Sequence, residues 1–84
     1  MKLGNEVLTL KARIADLKEQ LKDKNLQADS NIRALRELIS PYTDDFTKLA
    51  LRQASATLKS LIKLQDEAKE LREKISKLED ELNG

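Results

Sequence analysis

The sequence predicts an all-α protein, an antiparallel two-helix coiled-coil hairpin that dimerises into a four-helix bundle. Three observations carry this reading. Of 84 residues, 31 are charged and 22 are Leu, Ile or Val, against two Gly, one Tyr and one Phe. Chains of that composition form long helices, while strand formers and turn glycines are too few to build a sheet. Leu and Ile recur at alternating spacings of three and four in both halves of the chain, the 3.5-residue period of a coiled-coil seam. The single proline, Pro41, stands near the midpoint, where a hairpin needs its turn.

The first helix is expected over about residues 5–39. Asn5 suits an N-cap, its side-chain oxygen accepting from an otherwise unpaired amide of the first turn. Val7, Leu10, Ile14, Leu17 and Leu21 then follow as a seam. The next seam place is polar, Lys24 or Asn25, and Ala28 follows. The pattern resumes as Ile32, Leu35 and Ile39, an extra step of four that reads as a stutter, a local unwinding of the supercoil. Asp29-Ser30-Asn31 sits at that step, three weak helix formers in a row. The expectation is one continuous helix with a soft spot there.

The turn is expected over about 40–42. Proline disfavours helix at the residue before it and is accepted in the first turn of the next helix. Ser40 or Thr43 can cap that helix, and Asp44 and Asp45 match the positive end of its dipole. The second helix is expected over about 43–82, with Asn83-Gly84 as a C-terminal stop. Its seam is regular: Leu61, Leu64, Ala68, Leu71, Ile75, Leu78 and Leu82. Glu70 with Lys74 and Glu73 with Lys77 add favourable pairs one turn apart.

A turn centred near residue 41 sets residue i opposite roughly residue 82 − i. Val7 then meets Ile75, Ile14 meets Ala68, Leu21 meets Leu61, and Ala28 meets Ala54. The polar step at Lys24/Asn25 reads as a device that fixes register.

Residues 46–65 carry more apolar surface than one seam can bury. At about 100° per residue, Leu51, Leu58 and Ile62 fall on a different side of the helix from the seam, to which the same wheel assigns Phe46. The facing stretch of the first helix holds Leu26, Ile32, Leu38 and Ile39. Leu51, Leu58, Ile62, Ile32, Leu38 and Ile39 are therefore the expected interface. A second copy of the chain is the expected cover, giving a homodimer; a helix of another protein across Leu51, Leu58 and Ile62 is the alternative. Tyr42 and Phe46, four apart at the hinge, read as a plug for the end of the bundle.

The net charge of +1 conceals zoning. Residues 17–36 with 46–65 carry a net +6, the hinge 37–45 carries −3, and the open end −2. Within the basic zone, Lys48, Arg52, Lys59 and Lys63 form a stripe on the second helix, a candidate anion-binding set. Lys18, Lys22, Arg33 and Arg36 lie at similar height on the first helix, diluted by Glu19, Asp23 and Asp29. The overall balance, the scarcity of aromatics and the absence of a nucleic-acid-binding motif weigh against a nucleic-acid partner.

The chain has no His and no Cys, which removes imidazole acid–base chemistry, thiolate nucleophiles, disulfides and the common zinc sites. No phosphate-binding Gly-rich loop occurs. The carboxylate clusters Asp66-Glu67 and Glu79-Asp80-Glu81 point to different sides of a helix. No catalytic residue, cofactor or metal site is therefore expected. Charges interrupt every apolar run, so neither a membrane span nor a secretory leader is expected, and a cytoplasmic location is the default. The functional expectation is a non-enzymatic structural or adaptor protein, a self-associating hairpin that mediates protein–protein interaction. The alternatives are a nucleic-acid-binding accessory factor that uses the basic stripe and a polymerising secretion or assembly subunit.

Overall fold

A computed structural model describes residues 4–40 and 44–84. Helix α1 spans Gly4–Leu38 and helix α2 spans Leu51–Asn83. They pack side by side and antiparallel as a rod 66 Å long and about 15 Å across its backbone. The hairpin agrees with the periodicity and the midpoint proline.

Helix α1 begins at Gly4, so Asn5 lies inside the first turn instead of capping it, and its carbonyl accepts from the Thr9 hydroxyl at 2.9 Å. The helix then runs unbroken through Asp29-Ser30-Asn31. The stutter expected there does not occur. Asn31 is half-buried whereas Ile32 is exposed, so the seam continues as Lys24, Ala28, Asn31, Leu35 and Leu38 without changing phase. A stutter would rotate the rest of the helix to bring Ile32 inward at the cost of local unwinding. Holding Asn31 at half burial avoids that and leaves Ile32 and Ile39 outside.

Helix α2 starts at Leu51, eight residues later than expected, and the reason is local. The Asp45 carboxylate accepts from the Thr47 amide at 3.0 Å and from the Thr47 hydroxyl at 2.6 Å. This cap organises a short 3₁₀ turn over Phe46–Lys48, which ends at Leu49 in an extended conformation. Asp side chains compete with helix by such local bonds. Asp45, expected only to match a helix dipole, thus serves as the N-terminal cap of a 3₁₀ turn. Pro41, Tyr42 and Thr43 lie outside the described residues, and with them the expected turn centre, the Thr43 cap and the Tyr42 half of the aromatic plug. Phe46 is 71% exposed, so it neither joins the seam nor closes the end of this hairpin. It stands in the 3₁₀ turn, where a helical wheel does not apply.

The longer connection resets the register. Residue i of α1 faces roughly residue 90 − i, with Ala28 beside Leu61 and Leu64, Ile32 beside Leu58, and Lys24 in a salt bridge to Glu67. This differs by about eight residues from the expected 82 − i, close to one heptad, so the same faces meet but with new partners. Ala28 lies against Leu61 and Leu64 instead of Ala54.

The core is thin. Ile14, Ala54, Leu64, Leu71 and Ile75 are buried to 6–9% residual exposure, and none of the described side chains is fully enclosed. The best-packed layers lie toward the open end. Nearer the hinge the seam mixes Leu35, Leu38 and Leu61 with Lys24, Ala28, Asn31, Ala54 and Thr57, which are small or polar. Thr57 satisfies its hydroxyl by donating to the Gln53 carbonyl at 3.0 Å.

Candidate functional site

The weak half of the seam is where unpartnered apolar surface collects. Residues one position outside the seam on one flank are Ile32 and Ile39 on α1, and Leu51 and Leu58 on α2; Ile62 lies next to them. All five are exposed, between 42% and 52%. A typical soluble surface scatters such residues singly; here they form one patch beside the hinge. Leu38, expected in the same set, instead sits half-buried in the seam, because the phase-preserving path through Asn31 turns it inward.

A groove of about 470 Å³ continues this patch toward the middle of the rod. Its floor is Ala28, Leu61, Leu64 and Ala68, and its hinge-side wall is Ile32, Leu58 and Ile62. The cause is steric. Alanines at 28 and 68 leave the space that larger seam residues would fill, and neither helix can close on it because Leu61 and Leu64 hold them apart. Asn25 and Gln65 are polar walls of the groove itself, and Lys69 and Arg72 stand on its basic rim. Lys18 and Lys22 occupy the corresponding flank positions of α1.

The cations of the expected stripe are less unified than their spacing suggests. Lys48 belongs to the 3₁₀ turn, whereas Arg52, Lys59 and Lys63 are exposed on α2. Lys63 leans toward a cleft on the opposite flank that also holds Lys24, Gln27 and Glu67. There the Glu67 carboxyl lies below its ordinary value, chiefly through a hydrogen bond from Lys24; partial desolvation opposes this, and the charges of Lys24 and Lys63 add to it. Lys63 thus lies beside the Lys24–Glu67 ion pair. The basic group that adjoins the apolar patch is Lys18, Lys22, Lys69 and Arg72. Sequence reasoning misses Lys69 and Arg72 because they fall within an acidic-looking stretch, and only the fold sets them beside the groove.

Three further apolar residues stand out: Phe46, Leu8 at 67% and Leu26 at 58% exposure. Leu26 lies on the outer face of α1, away from the patch. Leu8 lies just outside the seam near the open end.

Among the described residues, no group of three or more carboxylates stands together in a way that could hold a metal ion, and no helix is long and apolar enough to cross a membrane. The chain matches no protein-family model, no curated protein and no solved structure.

Proposed function

We propose that this hairpin is a non-enzymatic interaction module that works as a homodimer, two copies meeting through the flank of Ile32, Ile39, Leu51, Leu58 and Ile62 to make a four-helix bundle. The supporting observation is that five half-exposed aliphatics converge on one flank of a hairpin whose own seam is weakest at that height. Fully burying such a side chain contributes ~1.5–3 kcal/mol. Each is already half covered, so a dimer recovers about half of that at ten positions, on the order of 7–15 kcal/mol in total. Association costs are estimated at ~4–15 kcal/mol, so the balance describes a dimer whose population depends on concentration. A chain this short, with no enclosed side chain among the described residues, benefits from such a partner.

Sedimentation equilibrium on the wild-type chain and on Leu58→Glu/Ile62→Lys tests the reading. The wild type is expected to sediment as a dimer at tens of micromolar. The variant is expected to sediment as a monomer while keeping most of its helical circular dichroism, because both positions lie outside the seam. An unchanged mass for the variant, or a monomeric wild type at that concentration, overturns it.

A further inference from the structure

A flank that pairs with its own copy can do so with the two hinges together or with the hinge of each beside the middle of the other. We infer that the copies pair head to tail, about a two-fold axis passing near Leu58, so that the acidic hinge of each lies over the basic, grooved segment of the other. This rests on the homodimer reading and adds the orientation, which the distribution of charge and shape along the flank decides.

Charge comes first. On one side of Leu58 the flank runs through Leu51 and Ile39 to the hinge, where Asp44 and Asp45 are exposed together with Lys48, a net charge of −1 over residues 44–50. Leu51 is about 10 Å from Leu58 along the axis, at 1.5 Å per residue, and the hinge carboxylates lie beyond it. The Asp45 carboxylate is held in place by its two bonds from Thr47. On the other side, Lys69 and Arg72 lie about 17 and 21 Å from Leu58. Lys22 and Lys18 stand at matching heights on α1. Rotation about the two-fold axis brings each hinge to the height of the other copy's four cations. Pairing hinge to hinge instead sets those cations against their own equivalents and Asp44 and Asp45 against theirs, and like charges facing each other across an interface disfavour that arrangement.

Shape agrees. The groove over Ala28 and Ala68 lies on the basic side of Leu58, between about 5 and 15 Å from it. Head-to-tail pairing lays the half-exposed Leu51 and Ile39 of the second copy over that groove and brings its 71%-exposed Phe46 to the same end. Hinge-to-hinge pairing sets groove against groove and leaves both unfilled, with the loss of contact that voids entail.

The test uses two charge variants of the full chain and one distance. Lys18→Glu/Lys22→Glu/Lys69→Glu/Arg72→Glu reverses the basic segment. Asp44→Lys/Asp45→Asn reverses the hinge, and the asparagine keeps an acceptor for Thr47. At low salt each variant alone is expected to dimerise at least tenfold more weakly than the wild type. An equimolar mixture is expected to recover dimer, because only the mixed pair matches charge at both contacts. The chain has no cysteine, so a spin label at Lys48→Cys reports the hinge-to-hinge separation, expected above about 30 Å at 1.5 Å rise per residue. A dimer with labels under about 20 Å apart, or with affinity unmoved by either charge variant, overturns the orientation and leaves the homodimer standing. A wild-type chain that stays monomeric overturns both.

Discussion

Truncating Leu71 and Leu58 in parallel separates the seam from the flank. Leu71 is 7% exposed and lies in the seam of α2 between the similarly buried Leu64 and Ile75. Leu→Ala in a core removes transfer free energy and leaves a cavity, costing ~2–5 kcal/mol. A two-helix seam is open along both flanks, so water and neighbouring side chains reach the vacated space, and the lower part of that range applies, about 2–3 kcal/mol. For a domain this size 1 kcal/mol moves the thermal midpoint by ~4–8 °C, so Leu71→Ala is expected to lose about 10–20 °C. Leu58 is 50% exposed and lies outside the seam. In a single hairpin Leu58→Ala gives up about half of a side chain's burial and leaves no cavity, so about 1 kcal/mol or less is expected. Thermal melts followed by far-ultraviolet circular dichroism, at a concentration low enough for the wild type to be monomeric, read both. If Leu58→Ala costs as much as Leu71→Ala under those conditions, the assignment of seam and flank is wrong. With rising concentration the Leu58→Ala deficit is expected to widen while the Leu71→Ala deficit stays level.

Lys24→Leu places an apolar side chain at a seam position only 29% exposed and opposite Leu64. It is expected to raise the urea midpoint, by an amount reflecting about 1–2 kcal/mol of added burial; a lower midpoint would mean that the Lys24–Glu67 pair outweighs that burial. Acid is expected to weaken the fold in a defined window. Glu67 and Asp45 both lie below their ordinary values of 4.5 and 3.8, Glu67 through its hydrogen bond from Lys24 and Asp45 through its bonds from Thr47. The stability they contribute is present above those ordinary values and is lost as pH falls through the lowered ones. The thermal midpoint should therefore stay level from neutral pH to about 5 and drop below about 4, and Glu67→Gln should make the drop shallower. An equally steep drop in Glu67→Gln would place the effect elsewhere.

The candidate site is partly legible in the amino-acid sequence. Leu51, Leu58 and Ile62 read as surplus because their angles on the helix do not depend on what the other helix does. Ile32 and Ile39 join them because the helix does not make the stutter that would have turned them into the seam, and the same false step puts Leu38 on the flank when it belongs to the seam. The groove is not legible at all. Alanine at 28 looks like a close-contact residue when matched to Ala54; set against Leu61 and Leu64, the same alanine creates space. Lys69 and Arg72 look unremarkable in a stretch with seven acidic residues after position 65, and their role depends on which flank they share with Ile62.

That there are two helices, that they fold back on each other, and which faces meet are all matters of the chain read locally. Each follows from the 3.5-residue period and a proline near the midpoint. The register is of another kind, because it exists only once the helices are packed. A slip of one heptad returns every seam residue to a seam place, so the pattern is blind to it. The choice between 82 − i and roughly 90 − i falls to the length of the connection, which is lengthened by Asp45 binding Thr47 and delaying the start of α2 to Leu51. From that one local competition follow the partner of every seam residue, the groove at Ala28 and the alignment of cations beside the apolar flank.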